Sequence, residues 1–264
     1  MKKTLSIGLA AFVFALSTFP AIAASTIPAS ALHSGDLIRG TSLSGVYFYG
    51  EDGLRYVFPN DKTYFTWYSN FNSVKWLSDA DLATIQIGGN VTYKPGVKMV
   101  KINSDPKVYA VGSGGTIRAV ASEAVAKSLY GATWNKQIDD VPDGFFSNYK
   151  MGSLIELASQ YSVSAEKADA TNINADKNLK TPTVISIGAT AYSPSTTTIE
   201  SGTAVRFVNT SSTSQSASEF DSIWGTGTLK PGEHFTRYFK QKGTWTFYSK
   251  FVPQITMTGA IIVK

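Results

Sequence analysis

Residues 46–72 read VYFYGEDGLRYVFPNDKTYFTWYSNFN and residues 107–135 read KVYAVGSGGTIRAVASEAVAKSLYGATWN. These are one phrase written twice, and a chain that repeats itself is expected to fold as two like units rather than around one continuous core. Leu54-Arg55 answers to Ile117-Arg118, Asn72 to Asn135 and Gly89 to Gly152, each pair 63 residues apart. The aromatic positions follow the same spacing, with Trp67 opposite Tyr130 and Phe71 opposite Trp134. The two copies span 35–89 and 96–152, within a β-rich tandem-repeat domain over 35–155.

Within a copy, Val46 to Tyr49 and Arg55 to Phe58 are short runs of β-branched and aromatic residues. Gly50-Glu51-Asp52-Gly53 separates them, and the Asp-Gly pair supplies the positive φ that a tight hairpin requires. The second copy repeats the pattern as Val108 to Val111, Gly112 to Gly115 and Ile117 to Val120. A helical stretch follows, clearest at Ser122 to Tyr130 with Ser122 as its cap. Ser78-Asp79-Ala80-Asp81 and Pro142-Asp143-Gly144 read as turns into the next strand. The phrase VYFYGEDGLRYVFPNDKTYFTWYS resembles a module of exported, surface-associated proteins of uncultivated, candidate-phylum bacteria, and the resemblance covers most of Gly35 to Ile155. It implies a location, not an activity.

The first 23 residues carry Lys2 and Lys3, an apolar run from Leu5 to about Phe19 and the small-residue end Ala21-Ile22-Ala23, the pattern of a secretory signal peptide cleaved after Ala23. The run is shorter than a spanning helix needs, and nothing after it is apolar enough to cross a bilayer. Residues 24–34 form a tail. Without the leader, 22 basic residues face 19 acidic ones, a balance too even to indicate nucleic acid. The chain has no cysteine, which excludes disulfides, thiol catalysis, a lipid anchor on sulfur and cysteine metal centres.

From residue 156 to 182 the composition shifts to Ala, Ser, Asn, Asp and Lys, as in a linker with one helical turn near Ala165 to Ala170. Alternation resumes at Val184 to Ile187, Ala204 to Val208, His234 to Phe239, Thr244 to Tyr248 and Gly259 to Val263, with turns at Gly202, Pro231-Gly232 and Gly243. This predicts a Greek-key β-sandwich over 183–264, so the fold class is mainly β throughout.

The motifs VRFVN, LKPGEHFTRYF, GTWTFYS and MTGAIIV resemble the plastocyanin-like cupredoxins. That resemblance implies a copper site of two histidines, a cysteine thiolate and a weak axial methionine, a set suited to copper in both oxidation states. Carried over position by position, the first histidine falls on Gln215, the cysteine on Ser249 and the second histidine on Val252, just before Pro253. Only Met257 keeps its chemistry. His33, in the tail, and His234, on a strand, lie off the pattern, and the isolated Glu219, Asp221 and Glu233 lack the alternating oxygen donors of a hard-cation loop. The resemblance therefore implies a frame with a degenerate copper site and no cofactor.

Two histidines and no cysteine leave nucleophile-and-base arrangements without candidates. Glu51-Asp52 and Asp139-Asp140 are read as solvated turn residues rather than a glycosidase pair, and Gly112 to Gly115 lacks the strand, helix and Lys-Ser/Thr of a phosphate loop. No enzyme is expected. The aromatics between Tyr47 and Trp76 are dense enough for a core or a stacking surface, and the matched set Trp67, Phe71, Tyr130 and Trp134 is the candidate binding surface. The expectation is a secreted or periplasmic, non-enzymatic scaffold that binds a cell-envelope polymer or surface protein. The alternatives are a copper carrier or electron-transfer protein with an unusual site, and a carbohydrate-active enzyme with an unfamiliar constellation.

Overall fold

A computed structural model describes residues 25–252 and 256–264; the leader and Pro253 lie outside them. The described chain is mainly β with short helices. Three bodies follow one another: two small five-stranded sheets and a sandwich of two four-stranded sheets.

The first sheet contains β1 (Leu37–Gly40), β2 (Tyr47–Tyr49), β3 (Arg55–Val57), β4 (Val74–Leu77) and β5 (Ile87–Asn90), in the order β4-β1-β2-β3-β5. β1, β2 and β3 form an antiparallel meander, and β4 and β5 add to its edges in parallel. Helix α1 (Asp61–Trp67) leads into β4 and α2 (Asp79–Thr84) into β5. Asn60 caps α1 by accepting from the Thr63 N–H, and Ser78 caps α2 by accepting from the Asp81 N–H.

The second sheet contains β6 (Met99–Ile102), β7 (Asp105–Gly112), β8 (Thr116–Ala119), β9 (Ile138–Asp140) and β10 (Lys150–Met151), ordered β10-β8-β7-β6-β9, with helices α3 (Glu123–Tyr130) and α4 (Asp143–Phe146) at the corresponding places. Its pairings are again an antiparallel meander with parallel outer strands. The two tetrapeptides read as turns are the helix starts of α2 and α4. Ser78 acts through its side chain as a cap, which the polar letters alone did not separate from a turn.

The spacing between the sheets is not uniform. Leu37 pairs with Phe48 where Met99 pairs with Ala110, and the caps Asn60 and Ser122 occupy like places, all 62 residues apart. Beyond the first helix, Val74 beside Leu37 corresponds to Ile138 beside Met99, a separation of 64. The separation of 63 is therefore a compromise across a two-residue insertion. With the helix caps superposed, Tyr68 stands opposite Tyr130, and Trp67 falls opposite Leu129.

Residues 156–182, expected as a linker, hold α5 (Val163–Asp169) and α6 (Ile173–Lys177). Ile173 and Leu179 enter the apolar cluster of the first sheet, and Tyr161 enters that of the second. Glu166 accepts from the Ser113 N–H and hydroxyl, Asp176 from the Gly114 N–H, and Asn174 from the Glu51 N–H. The buried apolar residues are too widely spaced to give an amphipathic pattern, so composition reported only the exposed majority.

The sandwich comprises β11 (Thr183–Ile187), β12 (Tyr192–Ser193), β13 (Thr196–Ile199), β14 (Thr203–Asn209), β15 (Ser218–Glu219), β16 (His234–Phe239), β17 (Gly243–Tyr248) and β18 (Thr258–Val263). One sheet runs β12-β11-β14-β16 and the other β13-β18-β17-β15. Their inner faces enclose Ile185, Val205, Phe207, Phe247, Ile261 and Trp224, an alternation that matches the apolar letters of each strand.

Candidate functional site

The end of β17, the loop after β14 and the start of β18 bring three of the four expected copper-ligand positions into one buried spot. Asn209 closes the β14 loop by donating from its amide to the Thr213 and Leu229 carbonyls, both at 2.8 Å. Gln215 exchanges backbone hydrogen bonds with Leu229 in both directions, which fixes the Gln215 side chain toward the interior. Ser249 follows directly on β17 and donates its hydroxyl proton to Gln215 Oε1 at 2.8 Å. Gln215 is 2% exposed, Ser249 0% and Met257 1%, and the Ser249 N–H donates to the Met257 carbonyl at 3.4 Å. Val252 packs at the margin of the same apolar cluster that contains Met257.

This set does not fit a copper ion. An amide oxygen and a hydroxyl are neutral hard donors, the valine offers none, and a lone thioether is a weak soft one. The amide oxygen and the hydroxyl are also joined to each other, and the Ser249 hydroxyl oxygen accepts a further bond from the Phe251 N–H at 3.2 Å. Among the described residues no three His, Cys, Asp or Glu side chains gather at a distance suited to a metal ion. His33 and His234 are both exposed and lie elsewhere.

The aromatic candidates separate into two settings. Trp67 is partly buried against the first sheet's cluster, donates its indole N–H to the Thr92 carbonyl at 2.8 Å and has Lys94 over its ring at 5.4 Å. Phe71 is 46% exposed and stacks on buried Tyr64, with ring centres 4.3 Å apart. Phe65, also exposed, meets both rings edge-on. Tyr130 is buried in the second sheet's cluster, where burial pushes its hydroxyl up to about 12, and Trp134 packs against that cluster. Phe71 therefore presents a surface, Tyr130 belongs to the core, and Trp67 is tied into the fold by its indole hydrogen bond. Beside Phe71 lies a hollow of about 260 Å³ walled by Val46, Phe58, Asn60 and Tyr64.

A second cluster escaped the sequence reading. Asp52, expected as a solvated turn residue, is fully buried. Its Oδ2 accepts from the Tyr56 hydroxyl at 2.5 Å and from the Tyr238 hydroxyl at 2.6 Å, and its Oδ1 accepts from the Leu54 N–H at 3.1 Å. Arg206 of β14 donates to the Asp52 carbonyl and to the Thr236 hydroxyl. Burial and the Asp52 contacts raise both phenols above their ordinary range. Gly53 stands against Arg206: a Cβ there would lie 2.0 Å from a guanidinium nitrogen, and its φ of +69° already favours glycine. The turn is buried because β14 and β16 of the sandwich dock on it. No local signal at Glu51-Asp52 announces a partner about 150 residues away. By contrast, Asp139 and Asp140 form ion pairs with Lys98 and Lys101, as rim residues do.

No protein-family model and no curated protein matches the chain. Solved structures resemble part of it. A purple cupredoxin from Nitrosopumilus maritimus is 24% identical over 31% of this chain and 99% of its own, with a TM-score of 0.29. The copper-containing nitrite reductase of Thermus scotoductus is 22% identical over 32% of this chain and 23% of its own, with a TM-score of 0.30. An oxidized amicyanin variant is 15% identical over 31% of this chain and 82% of its own, at a TM-score of 0.30.

Proposed function

We propose that the protein is an exported, non-catalytic binding or scaffold protein of the cell envelope, built from two copies of one β-rich unit and a metal-free cupredoxin-like sandwich. The observation that carries this reading is the buried Ser249–Gln215 hydrogen bond, which joins two former ligand positions to each other. The like connectivity of the two small sheets supports the duplication. The binding role draws on the exposed Phe65 and Phe71 beside their hollow, since an apolar group kept in water beside a cavity is typical of a contact surface.

The test is co-sedimentation of the mature chain with isolated cell-envelope material. Phe71→Ala is expected to weaken capture by about 1–3 kcal/mol, the range of an aromatic contact residue, with little change in melting temperature. Trp67→Ala is expected to destabilise the fold itself, because it leaves the Thr92 carbonyl without its indole donor. Equal capture of the Phe71→Ala chain removes the surface from the account, and tight one-to-one Cu(II) binding by the unmodified protein in calorimetry removes the metal-free sandwich.

A further inference from the structure

Two hydrogen-bond donors of the sandwich are buried with nothing to donate to: the Trp224 indole N–H and the Arg237 Nε–H. Both residues wall one cavity of about 250 Å³, together with Tyr238, Lys240, Gln241 and Trp245. Trp224 is 6% exposed, in the core between the sheets. Arg237 extends from β16, its guanidinium carbon 5.8 Å from the Trp224 ring centre and 5.7 Å from that of Phe239. Among the described residues every ion pair joins a lysine to an aspartate, so no carboxylate answers Arg237.

A buried donor left unpaired costs about 1–3 kcal/mol, and two of them facing one cavity call for an acceptor from outside the chain. The guanidinium is a planar fork that fits a carboxylate with two parallel hydrogen bonds. Lys240 adds a second positive charge, and the two tryptophans add flat apolar walls of the kind on which a ring lies. The volume falls below the roughly 300–1,000 Å³ of pockets for drug-sized ligands, which limits the occupant to about one ring.

We infer that this cavity recognises a single carboxylate-bearing sugar ring of the uronic-acid class. Arg237 takes the carboxylate, the Trp224 N–H supplies a further donor, and Trp245 provides the apolar wall. The site shares no residue with Gln215, Ser249, Val252 or Met257, so it stands whether or not the closed metal position is correctly read.

The test follows the five indole N–H signals of the nitrogen-15-labelled mature protein by NMR, with that of Trp224 assigned by its loss in Trp224→Phe. Glucuronate is titrated in, with glucose and acetate as controls. The Trp224 signal is expected to move saturably with glucuronate alone. Arg237→Gln is expected to weaken the response about tenfold or more, with the other indole signals in place as proof of the fold. Trp224 also walls a second hollow with Ser216, Ser218 and Lys250, so the Arg237 variant decides which side holds the ligand. Should Arg237→Gln fail to fold, Lys240→Ala decides instead, with an expected loss of about threefold. Competition by a polyuronate identifies a polymer end as the source, and its failure identifies the free sugar. No saturable shift at tens of millimolar, an equal response to glucose or acetate, or an affinity unchanged in the deciding variant overturns the inference.

Discussion

A carboxylate at position 52 has been taken out of water and supplied with two phenols, a backbone N–H and a guanidinium on its own carbonyl. The arrangement has a pH signature. Tyr56 and Tyr238 hold their protons more tightly when folded, chiefly through burial and then through Asp52. An unfolded tyrosine releases its proton near pH 10, so the stabilisation from the raised values is complete below about pH 10 and is lost as pH climbs above it, at up to about 1.4 kcal/mol per pH unit for each such group. Thermal unfolding followed from pH 8 to 11 is expected to show this alkaline fall. Tyr238→Phe is expected to lower stability at pH 8 by about 1–3 kcal/mol and to make the alkaline limb shallower; a limb of unchanged slope in that variant would show that Tyr238 is not the group involved. The Asp52 identity was legible as a turn residue, and the Gly53 positive φ was read correctly. Its burial was not legible, because it is imposed by residues 206 and 238, far along the chain.

At the scale of elements, edge strand β16 is covered by a side chain acting as a strand. Gln86, just before β5, donates its amide to the Thr236 carbonyl and accepts from the Thr236 N–H, both at 2.9 Å. This satisfies a backbone pair that an open edge leaves to water or to another chain. Gln86→Ala is expected to cost about 1–3 kcal/mol and to raise the tendency to self-associate, measured by chemical denaturation and light scattering; a variant as stable and as monodisperse as the parent would count against the coverage. The hairpins, α3 with its Ser122 cap and the five main sandwich strands were readable from alternation and caps. β13 was not, because Thr196, Thr197 and Thr198 put a hydroxyl on both faces and hide the alternation that their burial follows. The change of spacing from 62 to 64 was also hidden, since identical letters at 63 fall between the two.

For the whole molecule, the contacts of residues 156–182 with both small sheets, and those of Asp52 and Gln86 with β14 and β16, tie the bodies together. Limited proteolysis is expected to leave Tyr161 to Leu179 uncut while the rest of the fold persists, and chemical unfolding is expected to move the first sheet and the sandwich in one transition. Early cleavage within Tyr161 to Leu179, releasing two stable fragments, would restore the simple linker. The sandwich was the most legible body, since its turn and strand motifs recur nearly end to end, and the convergence of positions 215, 249 and 257 followed from those motifs.

That convergence is the central claim: the frame still brings the ligand positions together, and only the donors have been exchanged. It is tested most directly by the visible absorption spectrum of the combined variant Gln215→His, Ser249→Cys and Val252→His with Cu(II). The account expects an intense thiolate-to-copper band in this variant and none in the parent, because two imidazoles, a thiolate and Met257 recreate the donor set copper prefers. A variant that folds, binds Cu(II) and shows no such band would contradict the claim that these positions still share one site.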